Sequence, residues 1–231
     1  IDKMVEEGKK LYLENDCDFL IAIGGGSPID TIKAIGAMLT NEGKITDYMG
    51  KLIPNPPPKL VAIPTTAGTG SEATQFTIIT DTVKDIKMLL IGPELIPTLA
   101  VVDPELTLTV PPYVTAATGV DALTHAIEAF TSRKAQPMSD VFALSAIKRI
   151  YNHLLPVYQD GNNYESRKEM ALGALEAGIA FNNSSVTIVH GMSRPIGALF
   201  GIPHGLSNAI LLEDCLEFIK EGVIKEFAFL A

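Results

Sequence analysis

Four side chains in the second half of the sequence have the types and spacing of a metal site. Asp121 and His125 stand four residues apart in Gly119-Val-Asp-Ala-Leu-Thr-His. On a helix that spacing puts a carboxylate oxygen and an imidazole nitrogen on one face, one turn apart. His190 and His204 bound the stretch His-Gly-Met-Ser-Arg-Pro-Ile-Gly-Ala-Leu-Phe-Gly-Ile-Pro-His-Gly. Each is followed by a glycine, which lets a backbone approach closely. Pro203 stiffens the entry to His204, and Gly197 and Gly201 weaken any helix between the two. An isolated D-x-x-x-H is most often an ordinary helical hydrogen bond, and a lone histidine is more often structural than a ligand. Here three of the chain's 4 histidines lie in one region, one of them beside an aspartate. That combination points to one divalent ion. Three neutral ligands and one anion leave about one net positive charge on such an ion, a Lewis acid with a position open for substrate. Iron(II), zinc and manganese all accept imidazole and carboxylate, so the ligands do not choose the metal. Glu128 falls near the same face, but seven residues beyond Asp121 it is expected too far along the axis to join. His153 lacks an acidic partner at helical spacing and is expected at the surface.

Upstream stand two loops rich in Gly, Ser and Thr, each after a short apolar run. Gly24-Gly25-Gly26-Ser27-Pro28 follows residues 18–23, and Pro64-Thr-Thr-Ala-Gly-Thr-Gly-Ser-Glu72 follows residues 59–63. In this context backbone N–H groups and a helix N-terminus cradle phosphate. Gly24, Gly25 and Gly26 would allow close approach, Ser27 adds a hydroxyl, and Thr65, Thr66, Thr69 and Ser71 add side-chain donors. The G-x-G-x-x-G pattern fails, since Ile29 stands three residues after Gly26, and neither Walker A nor a G-x-S-x-G elbow is present. One such loop alone could be no more than a tight strand-to-helix turn. Two, at the C-terminal ends of neighbouring parallel strands, flank the crevice where α/β sheets bind ligands.

The elements that must position these residues fall into two textures. Residues 1–15 have helical spacing, and residues 18–23 and 59–63 read as strands buried on both faces of a parallel sheet. Residues 31–39 read as a helix, with Asp30 at its first turn, and residues 41–59 as loop. Residues 76–80 and 87–91 read as extended pieces, with a hairpin across 82–85, and residues 99–102 as a further short strand. After Pro111-Pro112 the patterns are helical: 114–130, 139–152, 166–181, 186–199 and 208–220. The expected organisation is α/β, with a Rossmann-like parallel-sheet nucleotide-binding domain over 1–110 and an all-α metal-binding domain over 111–231, both partial.

Composition agrees with a globular body rather than a disordered chain. The chain has 231 residues, 47% of them hydrophobic and 19% charged, which supports a sizeable core. The formal net charge of −9 argues against nucleic acid, whose binding rests on cationic contacts to phosphate. It leaves room for an anionic cofactor held by backbone N–H groups. Cys17 and Cys215 form no C-x-x-C pair, so neither a cysteine-built zinc site nor a disulfide framework is expected. No signal peptide or membrane span is visible in the sequence, and a cytoplasmic location is expected.

Taken together, Gly-Gly-Gly-Ser-Pro-Ile-Asp (24–30), Pro-Thr-Thr-Ala-Gly-Thr-Gly-Ser-Glu (64–72), Gly-Val-Asp-Ala-Leu-Thr-His-Ala-Ile-Glu-Ala (119–129) and the 190–205 stretch resemble the iron-containing (group III) alcohol dehydrogenases. The likeness runs along essentially the whole chain, in the family's order. It implies NAD or NADP on Gly25, Gly26, Ser27 and Asp30, then on Thr65, Thr66, Thr69, Thr74 and Lys87. It implies Fe2+, or Zn2+ or another divalent metal, on Asp121, His125, His190 and His204, which would also be the catalytic residues. The implied chemistry is reversible hydride transfer between the nicotinamide and a small alcohol, aldehyde or ketone, in a cleft between the two domains. The expected partners are that substrate and further copies of the chain in a homo-oligomer, dimer or higher, without nucleic acid or membrane.

Two departures from the family pattern stand out. Several members carry a second histidine four residues after the position of His190; here Arg194 stands there. A guanidinium stays charged and would suit an anionic or strongly polar group on the substrate. The family's members are also longer, so the chain is expected to be a central fragment, poorly active alone, with the NAD-versus-NADP determinant upstream of Ile1. Competing readings are a dehydroquinate-synthase-like or glycerol-dehydrogenase-like enzyme, a metal-dependent hydrolase, and a non-catalytic scaffold.

Overall fold

The computed structural model describes residues 1–230. The chain forms two compact units: Ile1–Thr65 with Ser71–Asp103, and Thr66–Gly70 with Pro104–Ala231. The division falls at 103/104, a few residues before the expected boundary at 110/111, and the segment 66–70 belongs to the helical unit.

The first unit opens with helix α1 (Asp2–Glu14), strand β1 (Phe19–Gly24) and helix α2 (Gly26–Thr40). It continues with β2 (Lys59–Pro64), β3 (Phe76–Asp81), β4 (Ile86–Ile91) and the short β5 (Leu99–Ala100). β1 and β2 run parallel in register from Phe19↔Lys59 to Gly24↔Pro64, and β2 pairs in parallel with β5. β3 and β4 form a separate antiparallel hairpin, with Asp81 opposite Ile86. The expected hairpin is therefore present, and the last strand is two residues long rather than four. β1 departs from the expectation of burial on both faces. Ala22 is buried with Ile29 and Ala62 beneath α2, whereas Phe19, Ile21 and Ile23 are exposed. Alternate residues of a strand face opposite sides, and α2 covers only one of them. α2 also begins five residues earlier than its periodicity predicts, because Pro28 fits the first helical turn, where no intrahelical N–H bond is lost.

The second unit is helical: α3 (Pro112–Thr131), α4 (Pro137–Gln159), α5 (Tyr164–Ser184), α6 (Ile188–Phe200), α7 (His204–Ile219) and α8 (Ile224–Leu230). Its core is built from small residues on α3, α4 and α5: Ala122, Ala126, Ala146, Ala174 and Ala177, with Ile150 and Met170. Small side chains let the helix axes approach, and each fully buried larger one such as Ile150 contributes about 1.5–3 kcal/mol. α6 stops at Gly201, whose φ of +64° is the left-handed conformation of a helix terminus. α7 then starts at His204 behind Pro203, four residues ahead of the expected start, which places His204 in its first turn. His153 is half-buried rather than at the surface, with its Nδ1 3.1 Å from Ser166 Oγ. Among the described residues no helix is long and apolar enough to cross a membrane.

Candidate functional site

Asp121 and His125 project from the middle of α3, one turn apart. His190 lies in the first turn of α6 and His204 at the start of α7. One ligand atom from each of the four lies within 4.8 Å of all the others. Asp121 Oδ1 is 4.0 Å from His125 Nε2, 3.5 Å from His190 Nε2 and 3.6 Å from His204 Nε2. These separations are too long for good hydrogen bonds. They suit atoms that share one ion, since ligands about 2.0–2.2 Å from a metal lie 3–4 Å from each other. Asp121, His125 and His190 are buried, whereas the His204 side chain keeps 40% of its exposure. The cage therefore has one accessible edge.

Close packing makes this convergence possible. A Cβ on Gly205 would lie 2.3 Å from the backbone oxygen of Ala117. Only glycine lets the first turn of α7 sit against α3 and bring His204 to Asp121. The glycine after His190 does no such work, for a Cβ on Gly191 would meet nothing within 4 Å.

A second layer fixes the ligands. Glu128 is fully buried. It accepts hydrogen bonds from Thr187 Oγ1 (2.8 Å) and from the Val189 backbone N–H (2.7 Å), and its other oxygen lies 2.5 Å from His190 Nδ1. α6 has no side-chain cap of its own, so Glu128 satisfies an orphan N–H at the helix start, where the dipole favours a carboxylate. The same carboxylate holds the proton on His190 Nδ1 and turns Nε2 toward Asp121. Asn208, one turn after His204 on α7, donates from Nδ2 to Asp121 Oδ1 at 2.6 Å. Phe181 stacks on the His125 ring at 4.3 Å, and His125 stacks on His190 at 4.4 Å.

Electrostatics follow from this enclosure. Burial alone would raise the Asp121 carboxyl, but the three histidines outweigh it and hold it well below the usual carboxylate range. Burial, helped by the other two histidines, pushes His125 down to about 3 against the pull of Asp121 and Glu128. Burial also disfavours a charged His190, yet Asp121 and Glu128 outweigh it and lift that imidazole above its ordinary value.

In the first unit, Gly25 caps α2 without a side-chain hydrogen bond. Gly25 and Gly26 are half-buried and Ser27 is exposed, at the N-terminus of α2. Thr65 is half-buried and its N–H donates to the Gly24 carbonyl at 2.9 Å. Thr66 and Thr69 belong to the segment that joins the helical unit, where Gly70 (φ +61°) abuts α5, a Cβ there lying 2.6 Å from Gly178 Cα. The Asp30 carboxylate is engaged within the protein, by the Ser71 hydroxyl and by the Ile78 N–H at 2.9 Å. Thr74 is buried and Lys87 is exposed.

Residues 1–104 match the iron-containing alcohol dehydrogenase model, and residues 115–230 match the C-terminal domain model of the Fe-containing alcohol dehydrogenase family. The chain belongs to the iron-containing alcohol dehydrogenase family. Over its whole length it is 41% identical to the NAD-dependent methanol dehydrogenase of Bacillus methanolicus, and it covers 61% of that protein. It superposes on an alcohol dehydrogenase from Oenococcus oeni with a TM-score of 0.95 and 38% identity, covering 98% of this chain and 60% of that one. A sulfoacetaldehyde reductase from Bifidobacterium kashiwanohense, solved with NAD+, gives a TM-score of 0.88 at 36% identity, covering 93% and 58%. The chain thus spans about three fifths of the length of these similar proteins.

Within this family member, the four residues singled out by type and spacing lie together. Glu128 does stay out of the cage, as its distance along the helix predicts, but it acts behind His190. Its signal in the sequence was its place seven residues beyond Asp121, on the same helical face. Asn208 was also missed, though it repeats the i, i+4 spacing with His204. Arg194 lies one helical turn beyond His190 on α6, is exposed, and makes no ion pair among the described residues.

Proposed function

We propose that the chain carries the metal-binding and dinucleotide-binding parts of an NAD(P)-linked alcohol dehydrogenase that interconverts a small alcohol with its aldehyde or ketone. The convergence of Asp121, His125, His190 and His204 within 4.8 Å carries this reading. Three imidazole nitrogens and one carboxylate oxygen, already spaced as co-ligands, fit Fe2+, Zn2+ or a similar divalent ion. When bound, the metal supplies Lewis acidity toward a substrate oxygen and the nicotinamide supplies the hydride chemistry.

The protein's own residues do the rest. Glu128 keeps the His190 proton on Nδ1, so that the Nε2 lone pair, 3.1 Å from Asn208 Nδ2, is directed at the centre of the four residues. Asn208 holds Asp121 Oδ1 in place, and Phe181 packs the His125 ring. The accessible edge at His204 is where substrate enters. Gly25, Gly26 and Ser27 bind the dinucleotide phosphates at the start of α2, with Thr65, Thr66 and Thr69 adding hydrogen bonds. Asp30 and Thr74 act from behind the cradle, and Lys87 contacts the cofactor from β4. The enzyme works as a homo-oligomer in the cytoplasm.

The test is metal analysis of anaerobically purified protein, followed by a panel of alcohols and aldehydes with NAD(H) and NADP(H). About one metal per chain and NAD(P)-linked turnover, both lost in Asp121→Asn, are expected. A metal-free protein with undiminished turnover would sink the proposal.

A further inference from the structure

The largest fully buried side chain of the first unit is a lysine. Lys33 on α2 is 0% exposed. Its Nζ lies 2.7 Å from Thr74 O, 3.0 Å from Phe76 O, 3.2 Å from Thr74 Oγ1 and 3.3 Å from Ser71 Oγ. An ammonium has only three donors, so these four oxygens surround it completely. One turn earlier on α2, Asp30 accepts from Ser71 Oγ and the Ile78 N–H, while its own carbonyl accepts from Thr77 Oγ1 at 2.7 Å. Glu72, also buried, adds a second carboxylate. Two stretches that are remote in sequence, 30–33 and 71–78, are thereby joined by one charged hub. The first continues the glycine turn at the start of α2. The second is the direct continuation of the threonine-rich loop.

We propose that Lys33 is a positioning residue for the dinucleotide, bracing the two loops of the cradle at the spacing that the cofactor requires. The inference rests on the dinucleotide reading above. A hub of buried hydrogen bonds around one charge holds backbone more rigidly than scattered neutral bonds, and a site preorganised in this way loses less on binding. Nothing in a purely structural role ties cofactor affinity to the protonation of this amine; the brace does.

The charge state adds a signature. Burial pulls the Lys33 ammonium down to about 8, against the opposing pull of Asp30 on its own helix and Glu72 on the facing segment. The other groups around it, Ser71, Thr74 and the Phe76 carbonyl, are neutral. Lys33 is therefore charged at neutral pH. It loses its proton as pH rises through about 8, leaving two donors for four acceptors and two carboxylates without their cation.

NADH and NADPH binding by fluorescence, from pH 7 to 9.5, tests this on the wild type and on Lys33→Met. In the wild type the Kd should rise about tenfold across that range, as hydrogen bonds to a charged group are lost. Lys33→Met should start about tenfold weaker at pH 7 and show a flat profile. Its KM for the dinucleotide should rise with little change in kcat, and its metal content should match the wild type. A Lys33→Met Kd within twofold of wild type, or the same pH profile in both proteins, overturns the proposal. Should Lys33→Met not fold, the wild-type profile decides: a rise with its midpoint near 8 supports the brace and a constant Kd overturns it. A wild type that binds neither NADH nor NADPH removes the dinucleotide reading itself, and the brace with it.

Discussion

Glu128→Gln changes one atom of a fully buried group and should weaken metal binding by 10–100-fold. Three donors surround the carboxylate: Thr187 Oγ1 and the Val189 N–H on one oxygen, and the His190 Nδ1–H on the other. A carboxylate accepts at both ends; an amide accepts at only one. If the amide oxygen of the variant keeps Thr187 and Val189, its NH2 faces His190 Nδ1. The imidazole must then move its proton to Nε2, the atom that should bind the cation. If the amide is turned the other way, its NH2 meets the Val189 N–H and loosens the start of α6. Either arrangement loses a charge-assisted hydrogen bond worth about 1.5–3 kcal/mol, in line with the 10–100-fold usual for outer-shell partners of metal ligands. Competition with a fluorescent chelator would measure the Kd, with circular dichroism and NADH binding as controls for folding. A metal Kd within twofold of wild type in a folded Glu128→Gln protein would refute the claim that Glu128 sets the His190 tautomer.

Gly205→Ala places a methyl group 2.3 Å from Ala117 O; overpacking of this kind costs about 1–3 kcal/mol. It should lower Tm and weaken metal binding at least tenfold by shifting His204, whereas Gly191→Ala, facing open space, should leave both unchanged. Equal effects in the two variants would show that the α3–α7 approach does not set the cage. Metal binding should weaken as pH falls, by up to about tenfold per pH unit, because a proton on His190 competes with the cation. The sign follows from Asp121 and Glu128 lifting that imidazole above its ordinary value, and a Kd constant between pH 8 and 6 would contradict it. Arg194→Ala should raise KM for substrates bearing a carboxylate or sulfonate by about tenfold or more, the worth of one charged contact, and leave small neutral alcohols unaffected. An identical change across both substrate classes would remove the guanidinium from substrate recognition.

The site residues were legible because their chemistry is rare and their spacing is local. Asp121 and His125 declare a shared face through the helical repeat alone. His190 and His204 needed only the expectation that a metal gathers imidazoles. What the sequence concealed depends on how helices meet. Nothing in the order of residues shows that α6 begins beside Glu128, so a carboxylate too distant to be a ligand could not be read as a cap and an orienting base. Nor does a glycine after a histidine reveal whether it faces a neighbouring helix, as Gly205 does, or open space, as Gly191 does.

The same limit explains β1 and Lys33. An apolar run such as Phe-Leu-Ile-Ala-Ile reads as a strand buried on both sides, because side-chain type alone does not report which face is covered. α2 covers the Ala22 side and leaves Phe19, Ile21 and Ile23 exposed. Lys33 errs in the opposite direction. Lysine is almost never fully buried unless paired, so a lysine within an amphipathic helix is read as solvated surface. Its burial becomes reasonable only once Ser71, Thr74 and the Phe76 carbonyl are brought to it by the turn into β3, with Asp30 and Glu72 supplying charge. That arrangement also reassigns Asp30. The sequence places it at the first turn of a phosphate-binding helix, whereas its oxygens are already committed to Ser71 and Ile78. On the proposed brace Asp30 acts through the spacing of the two loops, and Asp30→Asn should weaken NADH binding in parallel with Lys33→Met rather than in addition to it. A double variant whose loss equals the sum of the two single losses would separate the two residues and break the single-hub account.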